Sequence, residues 1–237
     1  MLHCMIAFEY CPEDEPMADM SRFPNRLLRG YAAFREQRLP HESSRYRVLA
    51  DAGQRPRTMI VGCCDSRAAP ETIFDAGPGE LFVVRNVANL VPPYDPDGEY
   101  HGTSAAIEFG VMGLKVQHIV VLGHGRCGGV QAYMAARDGQ GGAIASASDF
   151  IGKWISLIAP AEAFICEDPA ETSDAQRALE FASVRKAIEN LRTFPTIRSL
   201  EEIGEIELHG AWFDISTGEL HLLDPQSGRF AIPEVTA

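Results

Sequence analysis

The sequence predicts an α/β fold with a mainly parallel central sheet covered by helices, an N-terminal helical arm and a C-terminal hairpin that extends the sheet. Three observations predict it. Unbroken apolar runs at Thr58–Val61, Leu81–Val84 and His118–Leu122 read as strands buried on both faces. Segments with helical periodicity separate them, which is the alternation of a parallel sheet. The tail then changes character: Ile206–Ile215 and Leu220–Leu223, joined around Ser216-Thr217-Gly218, read as a hairpin.

Taken in order, residues 1–20 read as a leader, disordered or outside the fold. They hold Cys4, Cys11 and Pro12-Glu13-Asp14-Glu15-Pro16 with no usable period. Residues 21–237 are expected to form one domain. A helix is predicted from Asn25 to about Gln37, with Leu27, Leu28, Tyr31 and Phe34 on one face, and a second from about Glu42 to Ala52. The first precedes every strand, so its apolar face needs an outside surface. Further helices are expected at Thr103–Leu114, Gly128–Arg137, Phe150–Ile158 and Gln176–Leu191, the last with Phe181, Val184, Ile188 and Leu191 at helical spacing. Residues 138–148 form a low-complexity loop rich in Gly, Ala and Ser.

Bulk composition narrows the function classes. The chain has 237 residues, enough for one well-buried core, with 46% hydrophobic and 23% charged residues. A net charge of −12 argues against nucleic acid or an anionic membrane as partner. No run approaches the roughly 20 apolar residues that span a bilayer. The N-terminal segment lacks the basic and apolar regions of a signal peptide, so a cytoplasmic location is expected. Six cysteines in a chain of this length point to metal or catalytic use rather than a disulfide scaffold.

Two segments carry the chemistry. Cys63-Cys64-Asp65-Ser66-Arg67 follows one predicted strand, and His124-Gly125-Arg126-Cys127 follows another. Cys63, His124 and Cys127 offer two thiolates and an imidazole, three ligands of the kinds zinc takes, with a fourth position left for water. Lone cysteines after apolar strands are commonly just small buried residues. The joint pattern has few structural explanations. Asp65 and Arg67 stand at alternate positions after a ligand, so both can face one pocket. Arg67 can hold Asp65 by bidentate hydrogen bonds, and Asp65 can either accept a hydrogen bond from water or swing in as a fourth ligand, which closes the site. Zinc with two thiolates and a neutral imidazole is formally neutral. It should acidify water less than a zinc on three imidazoles, so activity should rise toward alkaline pH.

A rival occupies the same residues. Gly123-His124-Gly125-Arg126-Cys127-Gly128 matches the dinucleotide fingerprint G-x-G-x-x-G. That fingerprint also needs an acidic residue ending the next strand. Asp149 has the spacing, but Gly139–Ser148 before it is no strand. A zinc-stabilised module without catalysis is a further alternative, against which the presence of Asp65 and Arg67 argues.

These segments resemble the β-class carbonic anhydrases, plant-type branch. The resemblance runs from about residue 25 to 225 through Gly62–Arg67, Pro78–Asn89, Ser104–Phe109, His124–Gly129 and Leu208-His209-Gly210, with Leu90-Val91-Pro92-Pro93-Tyr94 pointing to the branch. It implies reversible hydration of carbon dioxide to bicarbonate and a proton by hydroxide generated on zinc. One Zn2+ per subunit would sit on Cys63, His124 and Cys127, with Asp65 and Arg67 as the catalytic dyad and Asp65 a fourth ligand only in a closed state. It implies substrate contacts from Gln54, Phe82, Val87, Phe109 and the backbone of Gly128. It also implies a homodimer or homotetramer with the site at the dimer interface, across which Gln54 donates and the N-terminal helix finds its surface. Phe109 stands where the branch often has Tyr, so the wall is apolar here, and Cys64 stands where Ser is commoner. His101, His118, His209 and His221 are possible proton relays. A carbonyl sulfide or carbon disulfide hydrolase on this scaffold is the alternative activity.

Overall fold

The structure is a computed structural model that describes residues 22–98, 101–140, 150–165 and 171–234. The expected leader, and most of the 138–148 loop with Asp149, lie outside the described residues. The chain divides into two compact units, Met1–Arg47 and Val48–Ala237.

Helix α1 (Asn25–Ala33) lies in the first unit and runs without a break through a π-turn at Phe34–Arg38 into α2 (Leu39–Ala52), whose last residues belong to the second. The two helices expected from periodicity are therefore one bent rod. The Leu39 N–H bonds back to the Phe34 carbonyl, an i→i+5 step that widens the turn just before Pro40. Proline has no N–H to give and crowds the carbonyl four residues earlier, and a wider turn relieves both problems. The rings of Phe34 and Tyr46 meet edge to face at 6.1 Å.

The second unit is built on a six-stranded sheet in the order β2-β1-β3-β4-β5-β6. The strands are β1 (Thr58–Cys63), β2 (Leu81–Asn86), β3 (His118–His124), β4 (Glu207–Phe213), β5 (Leu220–Leu223) and β6 (Phe230–Ala231). The first four are parallel: Thr58 pairs with Leu81 on one side and His118 on the other, and His118 pairs with Glu207. β5 returns antiparallel on β4, with Trp212 opposite His221, and β6 adds a short antiparallel edge. The predicted α/β class and hairpin are both present. β6 is too short to show a period in sequence.

Connections between the parallel strands are helical. α3 (Pro70–Ile73) lies between β1 and β2, and α4 (Gly102–Glu108) lies between β2 and β3. α5 (Gly128–Arg137), α6 (Ile151–Ile155), α7 (Ala175–Leu191) and α8 (Pro195–Glu202) lie between β3 and β4. α4 ends in a second π-turn at Phe109–Gly113, and the helix expected to reach Ile158 tightens into a 3₁₀ stretch at Ser156–Phe164 that contains Pro160. α8 escaped the sequence reading, although Pro195 stands at its first residue, where a missing N–H costs nothing.

Side-chain alternation builds two cores. Met59, Val61, Ile119, Val121 and Trp212 point to one face, where they meet Ile107 and the apolar side of α7: Phe181, Val184, Ile188 and Leu191. Ile60, Leu122 and Ala211 point to the other face with Ile73, Leu81, Val120, Phe213 and Leu220 around them. β1 and β3 are neighbours whose outward connections diverge, β1 leading to β2 and β3 to β4. The crevice at their carboxyl ends is the switch point where α/β sheets place ligands. Cys63 is the last residue of β1 and His124 the last of β3.

Candidate active site

Three elements deliver the donors. β1 ends on Cys63 and β3 on His124, while Cys127 caps the amino end of α5 in an extended conformation. Arg126 takes φ +55° to make the turn between them, and its side chain is exposed. All three residues are buried, and their ligand atoms lie within 4.8 Å of one another. Cys64 is exposed and outside this group.

The geometry sets the state of each donor. His124 Nδ1 lies 2.9 Å from the Gly125 carbonyl, which only accepts, so Nδ1 carries the hydrogen. His124 Nε2 is then a lone-pair nitrogen, buried and without a hydrogen-bond partner. An orphaned buried acceptor beside two thiols is what a metal ligand set looks like. The Ala88 N–H, held at φ +64°, donates to Cys63 Sγ at 3.4 Å. A hydrogen bond from the Cys127 thiol pulls Cys63 below the usual thiol range against the cost of burial, and the His124 ring adds to this. The same hydrogen bond, with burial, pushes Cys127 up. Burial acts to lower His124, but the adjacent Cys63 sulfur and its negative charge outweigh that and raise it.

Asp65 and Arg67 form the second part of the site. Arg67 Nε and Nη2 donate to the two Asp65 oxygens at 2.9 and 2.7 Å, and the Arg67 backbone N–H adds a third bond at 3.0 Å. Arg67 Nη2 also reaches the Arg126 carbonyl at 3.3 Å, tying the β1 turn to the β3 turn. This clamp holds the Asp65 carboxyl well below the ordinary carboxylate range, so it stays an acceptor. Its Oδ2 lies 4.0 Å from His124 Nε2. Arg85 on β2 braces the turn by donating to the carbonyls of Cys63 and Asp65 at 2.8 and 2.7 Å.

Among the residues expected to line a substrate site, Phe82 and Phe109 bring their rings to 5.8 Å, Phe109 on the π-turn with its side chain largely exposed. Val87 lies at the start of α5, where a Cβ on Gly129 would come within 2.9 Å of it. Gly128 is the exposed first residue of α5. Gln54 is exposed in the segment before β1, with no side-chain hydrogen bond among the described residues. His118 and His209 sit at the amino ends of β3 and β4, the far end of the sheet from Cys63 and His124.

Glu180 was missed. It lies on α7, 3% exposed, and accepts from the Cys127 backbone N–H at 2.9 Å, Gln176 Nε2 at 3.0 Å and Trp212 Nε1 at 3.1 Å. Burial pushes its carboxyl up against the pull of those bonds. A signal existed: an acidic residue stands inside the apolar run Leu179-Glu180-Phe181-Ala182-Ser183-Val184, and buried carboxylates need partners.

The first two glycines of the G-x-G-x-x-G run serve packing. A Cβ on Gly123 would meet Val184 at 2.8 Å, and one on Gly125 would meet Trp212 at 3.0 Å. Their open space is filled by core side chains, which leaves no cradle for a pyrophosphate.

A family profile described as "Carbonic anhydrase" matches residues 58–220, which includes every donor above. The chain belongs to the β-carbonic anhydrase family. It is 32% identical over 196 residues to "Beta carbonic anhydrase 6, mitochondrial" of Arabidopsis thaliana, covering 82% of this chain and 65% of that relative's length. The β-carbonic anhydrase CcaA superposes with a TM-score of 0.78 at 26% identity, covering 89% of this chain and 92% of the other. A structure described as one of two tetrameric β-carbonic anhydrases of Sordaria macrospora gives 0.63 at 30% identity, covering 84% and 92%. Among the described residues, no helix of this β-carbonic anhydrase is long and apolar enough to cross a membrane.

Proposed function

We propose that this β-carbonic anhydrase interconverts carbon dioxide and water with bicarbonate and a proton, using one Zn2+ per subunit held by Cys63, His124 and Cys127. The observation that carries the reading is the lone-pair nitrogen of His124, buried without a partner beside two thiols and 4.0 Å from the clamped Asp65 carboxylate. The donor chemistry suits zinc, and the bound ion would supply a Lewis acid that makes water nucleophilic, more so toward alkaline pH because two thiolates leave it formally neutral.

The chain's own residues supply the rest. Asp65 is too weak a base to keep a proton, because Arg67 stabilises its charged form. It therefore acts as a fixed acceptor that orients the hydrogen of the attacking water, and the three bonds from Arg67 favour this open arrangement over a swing of Asp65 onto the metal. Phe82, Val87 and Phe109 offer the apolar wall that carbon dioxide needs, since it has no dipole to hydrate. Gln54 donates to the substrate oxygen where charge develops, and the Gly128 N–H helps orient the product. Residues 21–237 act as one domain in this reading. Gln54 reaches the site across a homodimer interface, and tetrameric relatives support an oligomer.

The experiment is stopped-flow carbon dioxide hydration by zinc-loaded protein, compared with Asp65→Asn. The wild type should turn over CO2, and the variant should fold, retain zinc and lose on the order of 10²-fold in kcat. Zinc-loaded wild type without CO2 hydration overturns the proposal.

A further inference from the structure

Three metal-binding side chains converge at the other end of the sheet. β3 opens with His118, and β4 opens with Glu207-Leu208-His209. The parallel register pairs His118 with Glu207 and Val120 with His209. Alternation sends Leu208 to the α7 side, so Glu207 and His209 share the opposite face with His118. Six residue steps along β3 separate His118 from His124, about 20 Å of strand, so this cluster is distinct from the Cys63–His124–Cys127 site.

The geometry is that of a ligand set. His118 Nδ1 lies 3.2 Å from His209 Nε2, and Glu207 Oε2 lies 3.7 Å from the first and 3.6 Å from the second. A point equidistant from three atoms so spaced is about 2.0 Å from each, the length of Zn–N and Zn–O bonds. Hydrogen bonding does not explain the triangle. One imidazole N–H can lie between the two rings, but both carboxylate edges exceed hydrogen-bond length. Each imidazole can present a lone pair at this nitrogen by holding its hydrogen on the other ring nitrogen, and the carboxylate oxygen offers one without change. Two neutral imidazoles and one carboxylate carry a net charge of −1, which favours a cation, and the set is of the borderline type that Zn2+ prefers. The side chains are 40%, 64% and 42% exposed, so an ion can enter and water can complete its shell. A cavity of about 730 Å³ adjoins the cluster, lined in part by Lys115, Gln117, His118, Glu205 and Glu207.

We propose that His118 Nδ1, Glu207 Oε2 and His209 Nε2 form a second, non-catalytic zinc site that ties the amino ends of β3 and β4 together. Its test uses tag-free protein already carrying its tightly held zinc, equilibrated with rising Zn2+ and analysed for bound metal by mass spectrometry. Wild type should take up a second equivalent per subunit. His209→Ala and Glu207→Gln should each weaken that uptake by more than about tenfold while the first equivalent stays. Glu207 is an exposed side chain, so the Gln variant keeps the fold, and circular dichroism checks it. In Co2+-exchanged protein the second equivalent should add visible ligand-field bands without sulfur charge transfer, because no thiolate belongs to this set. Saturation at one equivalent, or an undiminished second equivalent in both variants, overturns the proposal.

Discussion

The Cys127 backbone N–H donates to Glu180 Oε1 at 2.9 Å, so a carboxylate buried on α7 holds the amide of a proposed metal ligand on the turn after β3. The other Glu180 oxygen accepts from Trp212 Nε1, and Gln176 bonds both Glu180 and the Cys127 carbonyl. Helix α7, strand β4 and the metal turn are thereby joined through one side chain. Glu180→Gln turns one of these oxygens into an amide donor, so an interior N–H that Glu180 served loses its acceptor, a loss that costs about 1–3 kcal/mol. Glu180→Gln should lower zinc affinity by roughly 10–100-fold, read by chelator competition, and should lower the thermal midpoint as well. Unchanged zinc affinity in a folded Glu180→Gln protein would show that the carboxylate does not position the turn.

Arg67 controls the charge of Asp65 through paired bonds that lysine cannot reproduce. The sign of the pH effect follows. The clamp holds the folded Asp65 carboxyl below its ordinary value, so it stays ionised well into acid. Loosening the clamp raises that value toward about 3.9 or above, and Asp65 becomes protonated at a higher pH. In Arg67→Lys the Asp65-dependent acid limb, which lies at the acid extreme of the kcat/KM profile well below the rise set by water ionisation, should shift to higher pH, with kcat down by on the order of tenfold. Arg67 is 52% exposed, so its thermal midpoint should barely move. An acid limb at the wild-type position would separate Arg67 from Asp65 ionisation.

Cys127 tests the ligand set directly. Cys127→Ser replaces a soft thiolate with a hydroxyl that resists ionisation, in a buried position at the start of α5. Zinc affinity at this site should fall by more than about 100-fold and carbon dioxide turnover should fall with it. Full retention of both would remove Cys127 from the metal site.

Phe181 tests the core behind the site. It stacks on Phe230 at 4.3 Å and meets Trp212 edge to face at 5.1 Å, linking α7 to β4 and the terminal strand. It is 1% exposed, so truncation leaves a cavity that neighbours fill only in part. Phe181→Ala should cost about 3–5 kcal/mol in urea unfolding. Phe181→Leu, which keeps most of the volume, should cost under about 2 kcal/mol. Equal losses for both variants would point to the ring contacts rather than the volume.

Strand runs, the 3.6-residue pattern of α7, and the two segments Cys63–Arg67 and His124–Cys127 were readable in the chain, because each is a local signal. An apolar run implies a covered strand wherever it lies, and thiol, imidazole and carboxylate in short spacing imply metal chemistry before any contact is known. Three features needed the fold. Glu180 reaches Cys127 across 53 positions, and the reason for its burial exists only once α7 lies on β3 and β4. The lone pair on His124 Nε2 was decided by a carbonyl that only this turn aims at Nδ1. His118 and His209 read separately as possible proton relays and Glu207 carried no signal; only parallel register brings the three to one face. Sequence distance carries no information about such convergence, because register is set by the packing of both sheet faces and not by the residues that happen to meet.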